Sequence, residues 1–314
     1  MSASLQIGLS AVIVAVDGDQ PLALLTRRSD GELALPFGPF DPEGHRTFEL
    51  GLRGWVRQQT GFQLGYVEQL YTFGDLGRET PRARASADSG DPRVISVGYL
   101  ALTPAAAEID TSFDAHWGGW YSLFPWEDHR RGRPGLIDLE IAPRLISWAA
   151  GNAARLDRAR VAFGLDGQAW VEEWVLERYE LLYEAGLVAE CARDAGLPTD
   201  GVQVGISMAS DHRRILATAM GRLRGKMKYR PVVFEMMAET FTLSALQASA
   251  EAILGLSLHK QNFRRSLDKT GLTEGTGITE PSTGGRPAEL FRFKRELLRQ
   301  KAVRGISTPL RRDG

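Results

Sequence analysis

The chain of 314 residues contains one cysteine, Cys191. A lone thiol closes no disulfide and builds no cysteine-rich metal site. Cys191 falls on the apolar face of a helix-like stretch, so it is expected to be a core thiol in a cytoplasmic protein. No apolar run approaches the roughly 18 residues of a membrane-spanning helix, and no membrane partner is expected. The first residues, MSASLQIGLSAVIVAVDGD, lack a basic start and a cleavage site. They are expected to form a strand, not a signal peptide. Internal repeats are absent. A strong charge of either sign is missing too, since the net charge is −1.

What is present is more informative. The length suggests about two domains. Hydrophobic residues make up 43% and charged residues 25%, ordinary values for a soluble chain with a core in each domain. The charge is unevenly placed. From Arg222 to Gly314 there are 18 Lys and Arg against 9 Asp and Glu, leaving 20 basic and 30 acidic residues elsewhere. A basic end on a near-neutral chain suggests a module for a polyanion, with a solvated tail as the alternative.

Periodicity predicts the elements. Residues 5–16 and 21–28 are expected strands joined by an Asp-Gly-Asp turn. A short strand in ELALPFGPFDPEG breaks into a Pro/Gly loop. HRTFELGLRGWVRQQTG fits a helix, with Phe48, Leu52, Trp55, Val56 and Gln59 at spacings of three and four and Gly61 as the stop. LGYVEQLYTF and PRVISVGYLAL are strands around a polar loop, 77–92, and WGGWYSL adds an edge strand. Helices are expected over 139–165, 168–195 and 209–224. In the second, Trp170, Trp174, Leu176, Tyr179, Leu182 and Leu187 form a bulky stripe, read as core or as a dimer surface. Near the end, PVVFEMM (opened by Pro231), FTLSALQASAEAILG and LSLHKQNFRRSLDKTG are three helices, and LTEG…GRPAELFRF is a hairpin. Three helices and a hairpin make a winged helix-turn-helix.

The helix ending at Thr60-Gly61-Phe62 resembles the metal-binding helix of Nudix pyrophosphohydrolases, whose pattern is G-x5-E-x7-R-E-U-x-E-E-x-G-U. Hard divalent ions need anionic oxygen ligands. Here the two consecutive glutamates fall on Gln58 and Gln59, the Arg-Glu pair on Gly54 and Trp55, and the earlier glutamate on Arg46. A glutamine amide brings no charge and no base, and Arg46 would repel a cation. No metal site and no catalytic residue are therefore expected. Three readings stay open: a nucleotide pocket without cleavage, a purely structural pseudo-enzyme, and a weak hydrolase using Asp41 and Glu43. For the first, Arg27 and Arg28 offer bidentate bonds to phosphate, beside the loop carrying Pro36, Gly38, Phe40, Asp41 and Arg46. Gln58, Gln59, Phe73 and Asp75 complete the candidate ligand set.

A wider resemblance rests on LPFGPFDPEGHRT, WVRQQTGFQLGYVEQLYTFGD, RVISVGYLAL, LRGKMKYRPVVFEMM, FTLSALQASAEAILG, LHKQNFRRSL and GRPAELFRF. Together these resemble the Nudix-related transcriptional regulators of NAD metabolism, the NrtR family, and within it the NadQ type of α-proteobacteria. The resemblance covers about two thirds of the chain and is weaker over residues 105–220. It implies an α+β fold: a Nudix-like α/β/α sandwich with a mixed sheet (1–150), a helical linker or dimerisation region (151–224) and a winged helix-turn-helix (225–314). It further implies a cytoplasmic, dimeric repressor of NAD biosynthesis or salvage genes. Such a repressor requires no cofactor and senses ADP-ribose, NAD, ATP or a related adenine nucleotide.

The third helix of the C-terminal module carries its own chemistry. Lys260, Gln261, Arg264, Arg265 and Lys269 are spread over one side, while Phe263 and Leu267 point inward. Arg can read guanine and Gln or Asn adenine in the major groove. Other cations meet phosphates, which position without reading sequence. Asn262 contacts a base or shapes the helix entry, and His259 starts the helix or neighbours a phosphate. Lys226, Lys228, Tyr229 and Arg230 are a backbone clamp or a solvated linker. Thr242 and Ser244 cap the second helix and present their exposed ends to phosphate. Arg286 is expected in the wing, suited to a phosphate or minor-groove contact, and the last residues are expected to be a frayed basic tail, with a specific contact as the alternative. The expected partner is a near-palindromic double-stranded operator. The rival classes are an ADP-ribose pyrophosphatase with displaced metal ligands and a protein–protein adaptor.

Overall fold

Alternating apolar residues and one capped amphipathic helix build the N-terminal half of the computed structural model. It describes residues 5–75, 93–104, 109, 112–198, 204–280 and 287–296. Arg286, the polar loop 77–92 and the basic tail lie outside the described residues. Strand β1 (Leu5–Asp17) turns at Gly18, whose φ of 58° suits a residue without Cβ, into β2 (Gln20–Arg27). The expected short strand is two: β3 (Leu33–Ala34) pairs with β2 and β4 (Phe37–Pro39) with β1. Helix α1 (Phe48–Thr60) starts at Thr47, whose hydroxyl accepts from the Leu50 amide, and stops at left-handed Gly61.

Strands β5 (Tyr66–Phe73), β6 (Arg93–Leu102) and β7 (Ala115–Gly119) complete the sheet in the order β3-β2-β1-β6-β5, with β7 on β2. The β1–β6 pair is parallel, from Leu5 opposite Arg93 to Val14 opposite Leu102, and the other pairs are antiparallel. The sheet is mixed, as expected. One face packs Leu9, Ala11, Ile13 and Leu24 against Leu52 and Val56 of α1.

The other face is covered by the middle of the chain. After β7 comes a helical turn, α2 (Trp120–Leu123). The expected helix over 139–165 is broken into a π-helical turn (Ile137–Ile141), α3 (Ala142–Trp148) and α4 (Ala153–Phe163). Gly151, at φ 77°, and Asn152, which caps α4, make the break. The expected helix over 168–195 begins only at α5 (Val175–Glu184), because Asp166 and Gly167 both hold positive φ. Gly186 separates it from α6 (Ala189–Asp194). Helix α7 (His212–Met227) runs through residues 224/225, where the domain boundary was expected. Its Ile215, Leu216, Ala219, Met220 and Leu223 are buried in the core that fills this face. The result is helix, sheet, helix: the α/β/α sandwich.

Most of the stripe expected as core or dimer surface is buried in the core. Trp170, Tyr179, Leu182 and Leu187 are buried. Trp174 and Leu176 line a groove of about 960 Å³ formed by residues of α4, α5 and α7.

The C-terminal module follows without a spacer. The expected helix over PVVFEMM is a 3-10 turn (Val232–Met236), too short to satisfy α-helical bonds of its own. A strand that periodicity did not indicate, β8 (Thr240–Thr242), precedes α8 (Leu243–Leu254) and α9 (Lys260–Thr270). Thr242 accepts from the Ala245 amide, so one expected cap is present, while Ser244 lies exposed inside the first turn. Strands β9 (Thr273–Glu280) and β10 (Ala288–Phe293) form the wing, and β8 adds its third strand in the order β8-β10-β9. Phe234 stacks on Phe293 with centroids 4.2 Å apart, tying the 3-10 turn to the wing. Helix α8 also packs directly on β1 and β2.

Candidate nucleotide face and nucleic-acid interface

The motif positions on α1 lie beside β4 and the loop after it. Gln59 locks that backbone: its Oε1 accepts from the Phe37 amide at 3.0 Å, and its Nε2 donates to the Phe37 carbonyl at 2.6 Å. A glutamate there could accept but not donate. Trp55 takes the glutamate position of the Nudix pattern. Its indole N–H donates to the Pro39 carbonyl at 2.9 Å, and the ring lies against Gly38, where a Cβ would come within 2.2 Å of it. His45 closes the space above Gly51, accepting the Asp41 amide on Nδ1 at 3.0 Å, and faces Phe40 and Trp55. Rings and an imidazole therefore occupy the ground between loop and helix.

Asp41 accepts from the Glu43 amide at 3.0 Å. Backbone hydrogen bonds from Gly44 and Glu43 hold its carboxyl below the usual range. Arg46 and Gln58 are exposed at the rim, and Pro36 is buried below it. No group of three or more His, Cys, Asp or Glu that could hold a metal occurs among the described residues.

The remaining candidates are not gathered at this spot. Arg27 lies two residues past Leu25, so it shares that residue's face, the one turned from α1. Its guanidinium donates to the Gly31 carbonyl, and Arg28 pairs with Asp30 at 3.5 Å. Phe73 is buried in the core opposite α1, beneath Arg214, and Asp75 pairs with the same arginine. Strand alternation decides these placements, which adjacency in sequence does not reveal.

The second candidate surface is on α9. Lys260, Gln261, Arg264, Arg265 and Lys269 are exposed, in two rows spaced by four residues, with Asp268 at the end of one row. Phe263 and Leu267 are fully buried. Among the described residues these cations carry no ion pair, and Asn262 is half-buried behind them. Tyr229 and Arg230 are exposed before the 3-10 turn.

Two expected clamp residues are held in ion pairs instead, Lys226 buried and Lys228 partly exposed. Lys226 is buried, pairing with Glu68 and donating to the Tyr66 hydroxyl at 3.0 Å. Lys228 pairs with Glu172 at 3.0 Å and with Glu173. Lys226 lies in the last turn of α7 and Lys228 is the residue that caps it, and three glutamates face them there. Both are paired with glutamates and are not free cations.

A buried charge cluster went unrecognised in the sequence. Glu127, Arg178 and Arg224 are all fully buried. Glu127 accepts from Arg178 Nε and Nη2 at 2.6 and 2.9 Å and from Arg224 Nη1. Burial alone would raise its carboxyl, but the two guanidiniums outweigh it and hold the group below its ordinary value. A signal did exist. Arg213, Leu216, Ala217, Met220 and Arg224 follow the helical period, so the two arginines share the buried stripe of α7.

Together these elements define a class, a Nudix-like sandwich carrying a winged helix. Within that class the likeness is to NrtR. Residues 233–293 match the NrtR DNA-binding winged helix domain. Over 88 residues the chain is 39% identical to the ADPR responsive transcriptional repressor NtrR of Acinetobacter baylyi. That match covers 28% of this chain and 35% of the relative, so the chain matches about a third of the curated repressor's length. In fold it is similar to Shewanella oneidensis NrtR complexed with a 27mer DNA, with a TM-score of 0.57 at 20% identity, covering 97% and 99% of the two chains. A MutT/nudix family protein from Enterococcus faecalis is similar too, with a TM-score of 0.52 at 17% identity over 94% and 88%.

Proposed function

We propose that the protein is a DNA-binding transcriptional repressor of NAD biosynthesis or salvage genes. Its Nudix-like half senses ADP-ribose, with NAD and ATP as the other candidate effectors. The observation that carries the reading is the exposed basic face of α9, without ion pairs among the described residues, set in a winged helix of the NrtR type. The curated relative is ADPR responsive, which supports ADP-ribose as the effector. Residues 1–150 form the sensor, 151–224 the helical region and 225–314 the DNA-binding domain. Arg264 and Gln261 read bases; Lys260, Arg265 and Lys269 meet phosphates, with Tyr229 and Arg230 beside them. Arg46 and Gln58 border the effector. A homodimer in the cytoplasm places two recognition helices on a near-palindromic site. No described helix is long and apolar enough to cross a membrane.

A pyrophosphatase is the second reading. Against it, Gln59 is committed to both polar atoms of Phe37, and Asp41 to its own turn. Fluorescence anisotropy at fixed, moderate salt tests the first. The probes are the gene's own upstream region, that of a NAD-synthesis operon and scrambled DNA, each with and without ADP-ribose, NAD and ATP. Preferential binding altered by one nucleotide is the expected result. No preference with any ligand, together with AMP release from ADP-ribose in Mg²⁺, would favour the enzyme.

A further inference from the structure

The turn between α8 and α9 sets the angle at which the recognition helix leaves the domain. Four bonds tie that turn to the sandwich, beside those that Glu251 and Gln247 make within the module itself. The Tyr121 hydroxyl donates to the Ala252 carbonyl at 2.5 Å. Arg224 Nε donates to the Ile253 carbonyl at 2.9 Å. The His129 amide donates to the Gly255 carbonyl at 2.8 Å. The Ser257 hydroxyl donates to the Arg130 carbonyl at 2.6 Å. At the centre is Gly255, with φ 70°, where a Cβ would lie 2.4 Å from the Glu127 carbonyl and 3.0 Å from the Tyr121 hydroxyl. The contact is therefore backbone against backbone, closer than any side chain permits.

The segment that grips the turn is itself anchored. Arg130 chelates Asp128 and reaches the Asp19 carbonyl in the β1–β2 turn. Its guanidinium lies 5.0 Å from the Tyr121 ring centre. Glu127 is fixed by Arg178 and Arg224. Upstream, the same segment is the continuation of β7. Trp117 of β7 packs edge-on against Phe62, 6.3 Å between centroids, and Phe62 directly follows the cap of α1. Four residues after Trp117 comes Tyr121. A displacement of α1 or its cap thus has a short covalent path, through an edge strand, to the turn before α9.

We propose that Tyr121, with Ser257 opposite, is a positioning contact for the recognition helix, and that residues 117–130 carry the effector signal from the α1 face to α9. This rests on the repressor reading above. A physical warrant for coupling is an element whose position both sites bias, and this segment touches both.

The test is the Tyr121→Phe/Ser257→Ala double variant, which removes two hydroxyls from an interface and no apolar surface. Three quantities are measured beside wild type: ADP-ribose affinity by calorimetry, operator affinity with and without ADP-ribose, and the slope of operator affinity against salt. The expected result is unchanged ADP-ribose affinity and an unchanged salt slope, since no phosphate contact is lost. The ratio of operator affinities with and without ADP-ribose should shrink at least about fivefold, within the usual range of coupling. Wild-type response retained in the variant would overturn the positioning role and leave the repressor reading intact, whether or not the variant melts lower. A wild type whose operator affinity responds to no nucleotide would overturn both.

Discussion

Replacing Glu127 by glutamine removes the one negative charge from a site holding two buried guanidiniums. Arg178 and Arg224 remain protonated under all ordinary conditions. Each is fully buried, and among the described residues neither has another carboxylate bonded to it. Removing one partner of a buried pair costs about 3–5 kcal/mol, because the other charge is left uncompensated. Here one carboxylate serves two cations, so the upper part of that range is expected. Domains have roughly 5–15 kcal/mol of stability in total, so the loss is a large share of it. Urea unfolding followed by tryptophan fluorescence should show the midpoint falling by on the order of 2 M. Because the carboxyl is held below its ordinary value of 4.5, its contribution is present above that pH. It is lost as pH falls through the lower folded value, so the variant's deficit should vanish in acid. The triple change Glu127→Leu/Arg178→Met/Arg224→Met should recover most of the loss, since it orphans no charge. A Glu127→Gln loss below about 1 kcal/mol at neutral pH would refute this reasoning, because an orphaned buried charge cannot be that cheap.

Other perturbations separate the two candidate surfaces. Gln59→Glu should cost about 1–3 kcal/mol, since a carboxylate would face the Phe37 carbonyl without donating, and Mg²⁺-dependent release of AMP should not appear. Gly38→Ala should displace the Trp55 indole, breaking its bond to Pro39 at a cost of about 1–3 kcal/mol and shifting tryptophan emission. Arg264→Ala should cost about 1–3 kcal/mol of operator binding and relax preference at one position, read from a panel of single-base operator variants. Lys260→Ala should weaken specific and random DNA alike and reduce the salt slope, whereas Lys228→Ala, already paired with Glu172 and Glu173, should change that slope little.

Much of the site chemistry could be read before folding. The 3.6-residue period of FELGLRGWVRQQT, its Thr47 cap and the Gly61 stop determine α1 locally, because caps and left-handed stops depend only on neighbours. The same holds for α8 and α9, where Phe263 and Leu267 are inward by spacing and five polar or basic residues are outward by default. That Trp55, Gln58 and Gln59 stand where the Nudix pattern has glutamates is likewise a statement about residue identity and needs no coordinates. Helices over 139–165 and 168–195 were overextended because average periodicity outvotes single breakers such as Gly151 and Gly167.

What the sequence alone determined is therefore local: which stretches are helix or strand, which helix face is basic, and which residue types stand at the motif positions of α1. Tertiary structure decided everything that depends on residues far apart in the chain. It turned Arg27 and Phe73 away from α1, since alternation assigns a strand residue to a face only once the sheet is packed. It drew Lys226, an expected surface cation, to Glu68, and it buried Arg224 against Glu127, a pairing the sequence did not announce. It also set residues 121–130 against the turn after α8, more than a hundred residues away. Charge type is written in a side chain, but the partner that neutralises it is chosen by packing, and a single sequence carries no record of that choice.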